Sequence, residues 1–410
     1  MLSVKEAQEK ILNLALNINI KKVPVSDSLG LILAEDIISE DNIPAYDNSA
    51  MDGYAVKAQD TSGADKDHPV ELNLSEEELS AGKVPIENLK PGFAMPIMTG
   101  APLPQGCNCV VMKENTQKEG RKILIFKECA IGENIRYKGE DIKKGDKVLK
   151  KNRLIYPGDI GVMASIGKSK VLVFYPPLIG IITTGNELLE INRKLSQGKV
   201  RDSNSYSLAA QIKEVGALYR KYGIVKDDRE ILKKKIIQAL DECDILLLTG
   251  GVSVGEYDFV KEVLGSIGAQ LIFWGVNQKP GKPLAFLTYK DKFIFGLPGN
   301  PVSVMVCFEM YVRPLIRKMM GQNMLFRNSI YAKASHNFEH KEGRTDFTRV
   351  IIEKKDDRYF FKSTGMQGSG ILTSMSEADG IAVFPEDKAD IKTGDILQIY
   401  LIKKFSSSSQ

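Results

Sequence analysis

The period of the apolar positions changes along the chain, and each change predicts a change of element. Val4, Ala7, Ile11, Leu14 and Ala15 recur at helical spacing, which predicts a helix within residues 3–18. A polar, proline-bearing link follows at Lys21–Val25, and Ser28–Ala34 turns into a short further element. Asp41 to Val56 reads DNIPAYDNSAMDGYAV, a crowd of Pro, Asn, Asp, Ser and Gly that belongs to loops. Across residues 57–135 the apolar runs are short and separated by Gly and Pro turns: Ala94–Met98, Cys109–Met112 and Lys122–Phe126. These predict a small β-rich insertion. Ile160–Ala164 is a candidate short helix.

From Val171 strand-like and helix-like segments alternate. Leu178–Ile182, Tyr219–Val225, Ile245–Leu248, Leu271–Val276 and Phe293–Gly296 read as strands. Ser207–Val215, Glu230–Ala239, Phe259–Leu264 and a long segment that follows Leu297–Ser303 and runs to about Met320 read as helices. Asp202-Ser203-Asn204 supplies capping side chains ahead of the first of them. This alternation predicts a mostly parallel, doubly wound α/β sheet. Beyond Gly321 the runs shorten again, at Tyr331–Ala334, Phe347–Ile352 and Asp395–Tyr400, which predicts a β-barrel-like domain from about residue 326. Ser406–Ser409 is a low-complexity tail, expected to be disordered.

The chemistry gathers at the ends of the α/β strands. The stretch Cys243–Asp258, CDILLLTGGVSVGEYD, runs from a buried strand into Gly250-Gly251-Val252-Ser253-Val254-Gly255. Glycines there let a backbone approach a ligand closely with its N–H groups turned toward it. Such a loop alone is as often a plain tight turn, but other strand ends carry matching groups. Glu187, Asp227, Asp228, Glu256 and Asp258 are acids, and Lys279 and Lys282 are cations within Lys279-Pro280-Gly281-Lys282-Pro283. Carboxylate oxygens suit Mg²⁺, which binds through one or two carboxylates and substrate phosphates. Lysines and free N–H groups suit an oxyanion. Ligands of open α/β sheets bind at these carboxyl ends. No GxSxG elbow or Cys–His arrangement supports a nucleophile, so Ser253 and Ser303 read as hydrogen-bond donors, and direct attack by a bound oxyanion or water is favoured. Asp47 and Asp52, beside Asn48 and Ser49, read either as turn caps or as a polar face toward a ligand.

Composition narrows the class. A chain of 410 residues holds more than one core. Hydrophobic residues at 43% and charged residues at 26% suit a globular protein. No run approaches the ~20 apolar residues of a membrane span. The amphipathic start lacks a cleavage pattern, so a cytoplasmic protein is expected, without membrane association. A net charge of +4 does not favour nucleic-acid binding, and Lys233-Lys234-Lys235 reads as a solvated helix face. The five cysteines include Cys107-Asn108-Cys109 but no zinc spacing, and reduced thiols are expected. His336 and His340 lie four apart, without the acid that a zincin needs.

Taken in order, DNSAMDGYA, IMTGAP, RYKGEDI, TTGNEL, TGGVSVGEYD, KPGKP, LPGNPVS and GRTDFTR closely resemble the molybdopterin molybdenumtransferase family, the MoeA-type proteins similar to the E domain of gephyrin. The resemblance runs from about residue 3 to 400. It implies a four-part chain: a linking domain of residues 1–44 and 136–170, an inserted β-rich domain of 45–135, a molybdopterin-binding α/β domain of 171–325 and a C-terminal β-barrel domain of 326–405. It implies a homodimer with sites between subunits, working beside the molybdopterin adenylyltransferase and molybdoenzyme pathway proteins. The implied reaction inserts molybdate into adenylylated molybdopterin and releases AMP, with Mg²⁺ required. By the same resemblance Lys279, Lys282, Ser303, Pro298 and Pro301 meet molybdate, joined by Arg349 and Ser369; Glu187, Asp227 and Asp258 hold Mg²⁺ or adenylate phosphates; and Gly250, Gly251 and Ser253 cradle the pterin phosphate. Asp52, Thr99, Arg136 and Asp141 reach the site from the partner subunit. Asn186 stands where many relatives carry Asp, and Tyr137 interrupts a stretch that is often richer in arginine. The alternatives are the adenylyltransferase of the same pathway and a non-catalytic, gephyrin-like scaffold.

Overall fold

The computed structural model describes residues 1–15, 19–251 and 259–403. The chain forms two compact units, Met1–Lys21 with Val173–Gln410, and Lys22–Leu172.

The first unit opens with helix α1 (Val4–Leu14), closed at its start by a capping box between Ser3 and Glu6. Its α/β part runs through β1 (Leu178–Thr184), α2 (Asn204–Glu214), β2 (Leu218–Val225), α3 (Arg229–Glu242), β3 (Ile245–Thr249), α4 (Phe259–Ser266), β4 (Gln270–Trp274), β5 (Ala285–Tyr289) and β6 (Lys292–Leu297). Strand order across the sheet is β2-β1-β3-β6-β5-β4. The β2–β1, β1–β3 and β3–β6 pairings are parallel. The sheet is more mixed than the sequence predicts, because β5 pairs antiparallel with both β6 and β4. A two-residue turn, Lys290-Asp291, makes the β5–β6 hairpin, with Lys290 at φ 53.

Continuous apolar runs make the inner strands because both faces of the sheet are covered. Ile179, Ile181, Ile245, Leu247, Phe293 and Phe295 face one core, shared with α1, α2 and the long C-terminal helix of the α/β part. Ile182, Leu246, Leu248 and Ile294 face the other, with α3 and α4.

That long helix starts as α5 (Pro301–Cys307), widens to a π-helical stretch at Phe308–Val312 and ends as α6 (Arg313–Met319). Pro314 has no N–H to give and would crowd a regular α-turn, so the wider turn before it accommodates the ring. Glu309 in this stretch is 2% exposed. Its carboxylate accepts from Arg313 Nε and Arg327 Nε at 2.6 Å each and from Gln211 Nε2 at 2.6 Å.

The C-terminal part closes into a five-stranded barrel, β7 (Ser329–Ala334), β8 (Thr345–Lys355), β9 (Arg358–Ser363), β10 (Gly380–Phe384) and β11 (Ile396–Leu401). The order is β8-β9-β7-β11-β10, and a β8–β10 pairing closes it. The short strand Gln278–Lys279 pairs in parallel with Thr345 and Asp346 at the start of β8, so the KPGKP loop and the barrel are in direct register.

The second unit is β-rich. Its six-stranded sheet comprises, in spatial order, Cys109–Met112, Gly53–Val56, Phe93–Ile97, Val70–Leu74, Lys122–Ile125 and Thr116–Glu119. Helix Pro157–Ser165 covers the expected Ile160–Ala164. All five cysteines are free thiols, four of them buried. No helix among the described residues is long and apolar enough to cross a membrane.

Candidate functional site

The parallel registers put the carboxyl ends of four strands in one row. Thr184 lies opposite Val225, Thr183 opposite Thr249, and Thr249 opposite Leu297. The loops leaving this row are Gly185–Glu187, Lys226–Asp228, Gly250-Gly251 and Pro298–Pro301. Gly250 stands at φ 84, and a Cβ there would lie 2.2 Å from the Thr184 carbonyl oxygen. Only glycine fits so close to the neighbouring backbone. Gly251, at φ 65, is held as tightly by Val260 and the Thr184 hydroxyl. Ser253 and Asp258 lie outside the described residues.

The loops after β1 and β2 are tied to each other. Asn186 N–H donates to Asp227 Oδ2 at 3.2 Å, and Asp227 N–H donates to Asn186 Oδ1 at 3.4 Å. An aspartate at 186 would set a second carboxylate beside Asp227 with no donor of its own, so the amide suits this turn. Glu187 folds back over Gly185, whose position lacks room for a side chain: a Cβ would lie 2.6 Å from both carboxylate oxygens. Glu187 is exposed, and among the described residues neither its carboxylate nor that of Asp227 pairs with a lysine or arginine. Asp228 does other work: its Oδ1 accepts from Ile231 N–H and caps α3.

Cations gather on the barrel side. Lys279 and Lys282 are exposed and lack a carboxylate partner among the described residues. Gly281 between them packs on α5, where a Cβ would meet Cys307 Sγ at 2.5 Å and Gln278 Nε2 at 2.7 Å. Arg349 on β8 is 1% exposed. Its guanidinium donates to Ser374 Oγ at 3.1 Å and to the Gly368 carbonyl at 3.2 Å, both neutral. Burial without an acid partner pushes it down to about 10. Its backbone N–H is held by Gln367 Oε1 at 2.9 Å. The segment Gly368-Ser369 then meets α5: Val302 N–H donates to the Ser369 carbonyl at 3.1 Å, and Asn300 Nδ2 donates to Ser369 Oγ at 2.9 Å. Ser303, 3% exposed, lies in the first turn of α5, and Pro298 is buried just ahead of it. Two exposed lysines and a buried guanidinium without an acid partner among the described residues thus belong to this unit, groups that suit an oxyanion.

Three family profiles match in chain order: the MoeA N-terminal region (domain I and II) over residues 2–167, a probable molybdopterin binding domain over 180–318 and the MoeA C-terminal region (domain IV) over 331–402. The chain is 34% identical to a molybdopterin molybdenumtransferase of Staphylococcus epidermidis, covering 99% of this chain and 96% of that one. It is 33% identical to one of Bacillus subtilis, covering 94% and 90%. The chain belongs to the MoeA family. A crystal structure of a molybdopterin biosynthesis MoeA protein from Pyrococcus horikoshii matches it with a TM-score of 0.75 at 33% identity, covering 98% of this chain and 100% of that one.

In this MoeA chain the remaining candidates belong to the second unit. Asp52 Oδ1 accepts from both the N–H and the hydroxyl of Thr99 at 2.7 Å, and these bonds hold its carboxyl below the usual range. Arg136 pairs in register with Asn48, and it is exposed, as is Asp141. Asp47 caps a turn, accepting from Lys138 N–H at 2.7 Å. His336 and His340 do not converge: His336 is bonded to Asn337, whereas His340 is buried against Asp346 and the Pro385 carbonyl. Sequence reasoning missed Asn300 and Asn204 as site residues. Asn204 Nδ2 donates to the Gly299 carbonyl at 2.9 Å, tying the start of α2 to the LPGNP turn. Asp202 bridges Thr183 and Ser205 beside it. Their only signal is a run of capping residues, which reads the same whether the cap is local or reaches across the sheet.

No cluster of three or more metal-ligating side chains occurs among the described residues. Glu187 and Asp227 still fit Mg²⁺ in their chemistry: two hard oxygen donors without cationic partners, at the strand ends where substrate phosphates would complete the shell.

Proposed function

We propose that this chain is a molybdopterin molybdenumtransferase that inserts molybdate into adenylylated molybdopterin and releases AMP. One observation supports the reading: in a MoeA chain the buried Arg349, without an acid partner among the described residues, bonds the Gly368 carbonyl beside Ser369, and Ser369 is tied to the start of α5, which leaves the same row of strand ends as the loops of Glu187 and Asp227. An oxyanion and a phosphate-bound metal need opposite charges, and the two sets arise from different loops.

In this reading Lys279 and Lys282 attract molybdate, and Arg349 with Ser369 fixes it. Gly250 and Gly251 let the chain make its left-handed turn against Thr184 at the end of β3, where the pterin phosphate would meet the backbone. Glu187 and Asp227, with Asp258, would hold Mg²⁺, which when bound neutralises phosphate charge. An oxygen of bound molybdate attacks the adenylate phosphorus, the anhydride bond to molybdopterin breaks, and that oxygen leaves in AMP. Asp52, Thr99, Arg136 and Asp141 complete the site from a second copy of the chain in a homodimer.

The test is AMP release from adenylylated molybdopterin with Mg²⁺, with and without molybdate, for the wild type and for Asp258→Ala and Lys282→Ala. Molybdate-dependent release, lost on either substitution, supports the transferase. Molybdate-independent release would make the chain a hydrolase. Consumption of ATP with molybdopterin alone would make it an adenylyltransferase, and no release from any protein would leave a scaffold. ¹⁸O-molybdate that left no label in AMP would exclude the direct attack.

A further inference from the structure

Asn300 occupies the N-cap position of α5 with extended backbone, φ -67 and ψ 128, yet its side chain makes no capping bond to its own helix. Asparagine is among the best N-cap residues because its side-chain oxygen takes an N–H of the first turn. Here that bond is forgone. The Val302 N–H, which the cap would have taken, goes instead to the Ser369 carbonyl at 3.1 Å. The Asn300 amide turns outward and donates to Ser369 Oγ at 2.9 Å. Residue 369 therefore acts as the cap of a helix that starts 68 positions earlier in the chain, held at both its carbonyl and its hydroxyl.

The direction of the second bond has a chemical consequence. A serine hydroxyl has one hydrogen to give and two lone pairs to receive. With a lone pair occupied by the Asn300 amide, its own O–H stays free, and among the described residues it has no acceptor. On the other side Arg349 holds the preceding carbonyl, Gly368, at 3.2 Å. We propose that Asn300 is a positioning residue: by donating to Ser369 Oγ it fixes the hydroxyl with its O–H left free to donate, toward the oxyanion that Arg349, Lys279 and Lys282 attract. This rests on the transferase reading for the identity of the oxyanion as molybdate.

The test is a double-mutant cycle on the full chain with Asn300→Ala, Ser369→Ala and both together, with Asn300→Asp added. Equilibrium binding of molybdate is measured by calorimetry, and KM for molybdate and kcat in the AMP-release assay. Each alanine substitution is expected to weaken molybdate binding about tenfold, the loss of one hydrogen bond to an anion. The double variant should be no weaker than either single one, because both remove the same donor. KM should move and kcat should follow much less. Asn300→Asp keeps the shape but can only accept, so it consumes the serine O–H and adds a charge; it should bind worst. Additive losses, or an Asn300→Asp protein that binds like the wild type, would overturn the proposal. If the wild type binds molybdate but does not turn over, the transferase reading fails while the binding cycle still decides the role of Asn300.

Discussion

Replacing Arg349 by methionine should leave the stability of the fold nearly unchanged and the protein unable to hold an oxyanion. Arg349 is 1% exposed and has no acid within salt-bridge reach among the described residues, and burial alone lowers it from the usual guanidinium range to about 10. A tenfold change in a protonation equilibrium corresponds to about 1.4 kcal/mol, so holding the charge costs the fold about 3 kcal/mol. The sign follows from the depressed value. The penalty is fully present below pH 10 and is relieved only as pH rises from there toward the usual guanidinium range, so at neutral pH the fold carries all of it. Methionine fills a similar volume without charge. It forfeits the bonds to Ser374 Oγ and the Gly368 carbonyl, which have a charged donor and contribute about 1.5 kcal/mol or more each. Ser374 keeps its own bond to the Ile371 carbonyl at 2.6 Å, and Gly368 is exposed to water, so neither is stranded. The two losses offset the relieved penalty, so the balance is near zero and the melting temperature should move by no more than roughly 2 °C. The assay is thermal unfolding with and without molybdate. The wild type should be stabilised by molybdate, since a bound anion relieves the buried charge, and the variant should melt close to the unliganded wild type and ignore molybdate. A variant that melts lower and still responds to molybdate would refute the argument.

Three further outcomes rest on other parts of the fold. Gly250→Ala needs a left-handed backbone, about 1–2 kcal/mol, and puts a Cβ 2.2 Å from the Thr184 carbonyl, so it should destabilise the protein and abolish AMP release; Gly265→Ala, in a helix with nothing within 4 Å, should be neutral or stabilising by up to about 1 kcal/mol, and equal urea midpoints for the two would contradict this. Glu309→Ala leaves Arg313 buried without its closest partner and should cost about 3–5 kcal/mol in urea unfolding. Burial pushes the Glu309 carboxyl up, but the Arg327 and Arg313 guanidiniums outweigh it and hold it below the usual range. Its contribution is therefore present above the unfolded carboxyl value of about 4.3 and is lost as pH falls through the lower folded value, so Glu309→Gln should flatten the acid limb of the stability profile.

Much of the α/β sheet could be read from the residues because both of its faces are buried. A run such as Ile245–Leu248 has nothing polar to place, and it ends at the glycines that turn the chain toward the ligand edge. The strand Ala285–Tyr289 was not legible, since its hairpin turns on Lys290-Asp291 rather than on a Gly or Asn-Gly signal. The barrel strands Arg358–Ser363 and Gly380–Phe384 were missed for a related reason: closure depends on a β8–β10 pairing between distant segments, and no local period records it.

The site divides along the same line. Acids, lysines and glycines were visible because each is of a distinctive type at a strand end. What brings them together was not visible, because it lies in bonds across long separations: Asn300 to Ser369 over 69 positions and Asn204 to Gly299 over 95. An asparagine before a helix carries the same local signature whether it caps its own first turn or grips another loop. The distinction is made by what the partner segment offers. Here Ser369 presents a carbonyl to Val302 and a hydroxyl to Asn300, so the helix start is satisfied from outside. The asparagine is thereby freed to set the polarity of a side chain that lies beside a buried, acid-free arginine. Local preference and global arrangement part at this point, and a functional site is where a folded sequence tolerates that conflict.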